Sequence, residues 1–230
     1  MQTWEMIDRA MAPDGTELVL VRRGTEWVVR AAGRVLMSSR AHGSEETLAK
    51  YALERVKAPR SVLVGGLGLG YTLRAALDGL PKESTVTVAE LVPELAEWNR
   101  SHVADLAKRP LDDPRARLRI GDVFDCIKES DAALDLILLD VDNGPSALAH
   151  SKNNRLYSEG GVRACEKALR PGGVLALWSA GHDERYARTL GLSGFKVEVK
   201  SVSQRKGSGA RDVLFLATKD TAPRKAGLKG

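Results

Sequence analysis

Three carboxylates and a run of glycines are the residues of this chain whose types and spacing could do chemistry. Ser61-Val62-Leu63-Val64 runs into Gly65-Gly66-Leu67-Gly68-Leu69-Gly70, and Tyr71 to Leu80 follows with a helical composition. Glycine tolerates positive φ and lets a ligand approach the backbone. A glycine turn between a strand and a helix N-terminus is therefore a place for a nucleotide. Twenty residues beyond Gly70 stands Glu90, closing the apolar run Thr85-Val86-Thr87-Val88-Ala89. A carboxylate there can accept both hydroxyls of a ribose. Asp122 follows a third strand, in Arg119-Ile120-Gly121-Asp122-Val123. It can accept from an adenine amino group, cap the next helix, or do both. Asp140 ends a fourth strand, in Leu138-Leu139-Asp140-Val141-Asp142. Ligands of open α/β sheets lie beyond the carboxyl ends of strands, so Asp140 is expected to face the reacting centre. For Asp142 an acceptor contact and a plain turn acid are both open.

The glycine spacing narrows the ligand. Gly66, Gly68 and Gly70 fit G-x-G-x-G, but Tyr71 stands where the dinucleotide pattern G-x-G-x-x-G needs its third glycine. A pyrophosphate requires that close backbone approach; S-adenosylmethionine (AdoMet), which carries no phosphate, does not. The expected cofactor set is Gly65, Gly66, Gly68, Gly70, Glu90, Leu91, Asp122 and Val123.

The elements that must hold these groups are legible from pattern. Strands are expected at 61–65, 84–89, 117–120, 134–140, 173–179, 195–202 and 211–218, and helices at 69–79, 93–108, 122–129, 158–169 and 183–192. Unbroken apolar strands such as Leu134 to Leu139 suit a sheet covered on both faces. The last two strands are joined by a loop too short for a crossover helix, so they pair antiparallel. Leu169-Arg170-Pro171-Gly172-Gly173 reads as punctuation between helix and strand. Upstream, Glu17 to Val21, Glu26 to Arg30 and Arg34 to Met37 read as a three-stranded antiparallel meander. Ser44 then reads as the N-cap of a helix whose first turn carries Glu45 and Glu46. The expected domains are a β meander at 1–43, a transferase domain at 44–218 and a basic, disordered tail at 219–230.

Size and charge exclude several classes. The chain has 230 residues, 43% apolar, with net charge +5. The last twelve residues hold four basic groups against one acid, which leaves the body close to neutral. That balance, with only 5% aromatic residues to stack on bases, argues against nucleic acid as a partner despite the basic stretch Arg205 to Arg211. Cys126 and Cys165 stand far apart and read as buried thiols of a reducing compartment. The four histidines show no metal-ligand spacing, so no metal is expected. No apolar run of transmembrane length and no signal segment is apparent, and the expected location is cytoplasmic, away from membranes.

Taken together, Val64 to Gly70, Val88-Ala89-Glu90-Leu91, Gly121-Asp122 and Leu136 to Pro145 resemble spermidine synthase and its relatives of the class I AdoMet-dependent methyltransferase fold. Gly144-Pro145 and Leu156-Tyr157-Ser158-Glu159 echo further segments of that family, and the resemblance covers about residues 33 to 180. It implies an α/β, Rossmann-like fold: a mostly parallel seven-stranded sheet with an antiparallel last strand, preceded by a small β meander. It also implies Glu90 on ribose, Asp122 on adenine and Asp140 as the catalytic acid group beside the acceptor. The departures lie on the acceptor side. Gly68 stands where aminopropyltransferases carry an aspartate, Met37 where they carry a glutamine, and Val162 where they carry a tyrosine.

The expected reaction is alkyl transfer from AdoMet or decarboxylated AdoMet to a small-molecule acceptor, an amine among the candidates, leaving S-adenosylhomocysteine or methylthioadenosine. Asp142, Tyr157 and His42 are the candidate acceptor contacts. For His42 a loop-surface role, and for Tyr157 core packing, compete with that reading. Gly68 removes a negative charge near the donor's methionine arm, which tilts the expectation toward methyl transfer; aminopropyl transfer and a non-catalytic nucleoside-binding protein are the alternatives. A homodimer through exposed edges of the meander is also open.

Overall fold

The computed structural model describes residues 2–141, 154–204 and 211–221. The chain opens with four strands, β1 (Glu5–Met11), β2 (Glu17–Arg23), β3 (Glu26–Ala31) and β4 (Arg34–Ser38), paired in sequence order as an antiparallel meander. One more strand is present than the pattern predicts. In β1 only Ala10 is buried, so this edge strand carries almost none of the alternation that reveals a half-buried strand.

Helix α1 (Gly43–Leu53) leads into alternating strands and helices: β5 (Ser61–Gly65), α2 (Tyr71–Gly79), β6 (Thr85–Glu90), α3 (Pro93–Arg100), β7 (Ala116–Ile120), α4 (Val123–Glu129) and β8 (Leu134–Leu139). Then come α5 (Asn154–Tyr157), α6 (Glu159–Ala168), β9 (Leu169–Ser179), α7 (Glu184–Leu192), β10 (Phe195–Ser203) and β11 (Arg211–Lys219). The sheet order is β10-β11-β9-β8-β5-β6-β7. Strands β7, β6, β5, β8 and β9 are parallel, and β11 is inserted antiparallel between β9 and β10. The fold is the expected α/β one. Strand β9 begins four residues early, at Leu169, because the Arg170 to Gly173 stretch continues the strand after a register shift instead of forming a loop.

Both faces of the sheet are covered. One core joins α1 and α2 to the sheet through Leu48, Leu73, Leu77, Val64, Leu136 and Leu138. The other packs α4, α6 and α7 against Leu63, Ile137, Leu139 and Phe215. A third core clamps the meander onto the glycine turn: Leu18, Leu20 and Val29 meet Leu69, Tyr71, Leu95 and Trp98. The indole of Trp98 donates to Asp8 of β1 at 2.8 Å, and that bond holds the Asp8 carboxyl below the usual range. The meander thus roofs the crevice where the strand order reverses, with β6 on one side of β5 and β8 on the other. No described helix is long and apolar enough to cross a membrane. Cys126 and Cys165 are buried free thiols.

Candidate active site

The glycine turn is built from left-handed backbone that favours glycine. Gly66, Gly68 and Gly70 have φ of +86°, +53° and +88°. A Cβ on Gly66 would stand 2.3 Å from the Asp140 carbonyl oxygen, and one on Gly70 2.8 Å from Asn99 Oδ1. A Cβ on Gly65 would meet the Val123 side chain at 2.9 Å. Gly68 faces the sulfur of Met37, so β4 of the meander does reach the turn.

Glu90 organises this turn. It is 5% exposed, and its carboxylate accepts from the amides of Leu67 at 2.9 Å and Val92 at 2.8 Å. Burial pushes its proton affinity up, opposed by the amides of Val92, Leu67, Gly68 and Leu91. A carboxylate offers about four lone-pair positions, and only the Leu67 and Val92 amides make close, well-aligned bonds to it, so a diol could compete for the rest. Leu91 contributes its amide while its side chain is exposed. Buried Asn99 Oδ1 has no hydrogen-bond partner, while its amide nitrogen donates to the Gly68 carbonyl at 2.8 Å.

Asp122 performs the capping role that the sequence left open: it accepts from Phe124 N at 2.8 Å at the start of α4. Its other oxygen pairs with Arg155, whose guanidinium also lies 5.1 Å from the Phe124 ring centroid. Phe124 and Arg155 therefore belong to this corner, although neither carries a motif that would single it out.

Asp140 stands one residue past β8. Its amide donates to the Gly65 carbonyl at 2.9 Å, and its carboxylate accepts from the Thr72 hydroxyl at 2.6 Å. It keeps some surface toward the crevice but is densely enclosed. That enclosure raises its pKa to about 6, with the Thr72 bond lowering it and the Asp212 charge raising it.

Two carboxylates near Asp140 escape sequence reasoning. Glu45 lies in the first turn of α1, where an acid is read as a helix-dipole partner. Burial and the Asp140 charge push its pKa up to about 8, against the hydrogen bond from Ser44 at 2.8 Å. Asp212, at the start of β11, is 2% exposed; one oxygen accepts from Gln204 Nε2 at 2.9 Å and the other has no partner. The backbone of Gln204 accepts from Gly43 N at 2.9 Å. That bond starts α1 at Gly43, so Ser44 lies inside the helix and is not its N-cap.

The proposed acceptor contacts divide. His42 is the residue before α1 and stacks on Tyr71 with ring centroids 3.9 Å apart. Tyr71 is driven to about 12 by burial and by Glu45 and Glu46. His42 is thus part of the wall of the crevice. Tyr157 donates to the Val141 carbonyl at 3.0 Å and packs edge-on to Tyr186, which commits its hydroxyl to the fold. Asp142 and Gly144-Pro145 lie outside the described residues. Val162 is wholly buried in the core under α6 and lines no crevice, so its identity says nothing about the acceptor.

Residues 41–185 match the spermine/spermidine synthase domain. The chain is 32% identical over 136 residues to polyamine aminopropyltransferase 2 of Pseudomonas aeruginosa, covering 57% of this chain and 37% of that protein. It is 31% identical over 164 residues to polyamine aminopropyltransferase 1 of Hyperthermus butylicus, covering 69% and 54%. The chain thus spans between 37% and 54% of the length of these relatives. The structure superposes on spermidine synthase from Thermotoga maritima with TM-score 0.74 at 19% identity, covering 95% of this chain and 74% of that one. It superposes on a spermidine synthase in complex with the transition state analogue AdoDATO with TM-score 0.78 at 19% identity, covering 95% and 75%. These two likenesses establish the shared fold.

Proposed function

The chain belongs to the spermine/spermidine synthase family, and from that premise we propose that it is an aminopropyltransferase that uses decarboxylated AdoMet and an amine acceptor. This replaces the methyl transfer expected from Gly68. That expectation counted one lost negative charge and missed two carboxylates, Glu45 and Asp212, whose charges couple to Asp140. The charges of Asp140 and Asp212 disfavour the carboxylate of full AdoMet and favour a donor arm and an acceptor whose charged groups are ammoniums. The likeness to polyamine aminopropyltransferases points the same way.

The residues fit the donor. The glycine turn leaves space where side chains would clash, Glu90 has lone pairs to spare for a ribose, and Asp122 stands at the adenine corner beside Phe124. The donor, when bound, supplies a propyl carbon made electrophilic by its sulfonium. The chain's residues hold the acceptor nitrogen in line with that carbon and shield the site from water. Asp140 takes a proton from the acceptor's ammonium and frees its lone pair; as the nitrogen–carbon bond then forms, the carbon–sulfur bond breaks and its electron pair stays on sulfur. A carboxyl raised to about 6 is ionised at neutral pH yet more basic than an ordinary aspartate, which suits it to take that proton.

The observation that carries this reading is Asp140 itself, held by Thr72 at the carboxyl end of β8 directly against the glycine turn. The test is formation of methylthioadenosine from decarboxylated AdoMet with a panel of amines. Asp140→Asn is expected to bind methylthioadenosine normally and to transfer about 10²- to 10⁴-fold more slowly. Preference of the wild-type protein for AdoMet over the decarboxylated donor would refute the proposal.

A further inference from the structure

Asp122 already holds a planar cation where the donor reading needs room for a planar base. One of its carboxylate oxygens caps α4, accepting from Phe124 N at 2.8 Å. The other accepts from Nη2 of Arg155, whose guanidinium carbon lies 5.1 Å from the Phe124 ring centroid. Both oxygens are thus engaged by the chain itself. A guanidinium is flat and presents N–H donors along its edge, as the amino edge of adenine does. Arg155 therefore makes the kinds of contact open to a nucleobase at this corner: an N–H bond to the carboxylate and a face against an aromatic ring. The main chain of Arg155 is fixed. Its carbonyl accepts from Ser158 Oγ at 2.7 Å, that oxygen accepts from Gly161 N at 3.1 Å, and neighbouring Leu156 is buried in the core. The side chain is held far less firmly. It is 52% exposed and, among the described residues, makes one bond to Asp122. Arg115, by contrast, is 19% exposed; it grips Asp113 with bonds of 3.0 and 2.8 Å and reaches the Leu80 carbonyl as well. The head of Arg155 can leave for water at small cost. Leu91, one residue past β6, and Ile120, the last residue of β7, are both exposed. No described residue covers that apolar surface at the edge of the sheet from which Asp122 emerges.

We propose that Arg155 sets the affinity of the donor site by competing with the nucleobase for Asp122. Its guanidinium is a placeholder. It satisfies the carboxylate until an adenine amino group takes over the bond, and it then turns out to solvent from a fixed main chain. This rests on the donor reading of the crevice and adds to it a residue that opposes binding. Such competition has a sign that a positioning residue lacks: removing a positioning residue weakens the ligand, and removing a competitor tightens it. It also has a salt dependence. Methylthioadenosine is uncharged, so its own contacts depend little on ionic strength, whereas an exposed ion pair that must first open is weakened by salt. Salt is therefore expected to help this neutral ligand bind.

The experiment is calorimetry of methylthioadenosine with the full chain at about 0.05 M and about 0.5 M sodium chloride, salt levels on either side of strong screening. Wild-type protein is expected to bind about two-fold more tightly at the higher salt. Arg155→Met keeps an apolar stem and removes the N–H donors. It is expected to bind about two- to five-fold more tightly than wild type at the lower salt, and to lose most of the salt response. Equal or weaker binding by Arg155→Met, or a salt response shared equally by the two proteins, would overturn the placeholder and leave the donor reading standing. Absence of methylthioadenosine binding in both proteins at both salt levels would overturn the donor reading and the placeholder with it. A chain that binds with the expected salt response but transfers nothing keeps the placeholder and refutes the transferase.

Discussion

Removing the Glu45 carboxylate charge should make the ligand-free protein more stable at high pH. Glu45 titrates near 4.5 when solvated and near 8 in the fold, so its protonated form fits the native state and its ionised form does not. Its contribution is fully present below pH 4.5 and is lost as pH rises through 8. Asp140, raised from 3.8 to about 6, works in the same direction at lower pH. Among the described residues, the groups that act on Glu45 are Asp140, Asp212, Tyr71 and Ser44, with the His42–Glu46 pair at the same helix start. At 1.36 kcal/mol per unit, a shift of this size corresponds to roughly 4–5 kcal/mol as an upper bound, and about half of that after sharing with Asp140. For a domain of this size a loss of about 2 kcal/mol lowers Tm by roughly 4–8 °C. Thermal unfolding of wild type and Glu45→Gln at pH 5 and pH 9 measures the effect. Wild type should lose several degrees more than the variant between the two pH values. Equal losses in both proteins would refute the reasoning, because they would mean that Glu45 ionises in the fold as it does in solvent.

Three further outcomes follow from the same geometry. Glu90→Ala strands the buried amides of Leu67 and Val92, so it should cost about 2–4 kcal/mol in chemical denaturation and abolish methylthioadenosine binding by calorimetry. Gly66→Ala puts a Cβ on the Asp140 carbonyl at φ +86° and should weaken donor binding by about 100-fold or more; unchanged affinity would show that the turn relaxes freely. Thr72→Val removes the hydroxyl that lowers the Asp140 pKa, so the acid limb of the kcat/KM pH profile should move upward by about 0.5–1 unit.

The sequence by itself determined what local stereochemistry dictates. A strand that runs into Gly66, Gly68 and Gly70 ahead of a helix favours this turn, because the φ of +86° and +88° at Gly66 and Gly70 strain any residue with a side chain. The positions of Glu90, the last residue of β6, and Asp140, the residue after β8, were legible because each closes a short apolar run, and parallel strands end at one edge of the sheet. β1 was not legible, since a nearly solvated edge strand leaves no hydrophobic pattern. Nor was the acceptor half of the crevice. Glu45 and Asp212 look like a helix-start acid and a strand-start acid until the fold brings their charges to bear on Asp140. Tertiary structure alone decided which carboxylates lost their water, because desolvation depends on what packs around a group and not on its neighbours in the chain. The same packing set Met37 against Gly68 and paired Arg155 with Asp122. It thereby added Glu45 and Asp212 to a crevice that the chain order alone shows as having lost charge at Gly68.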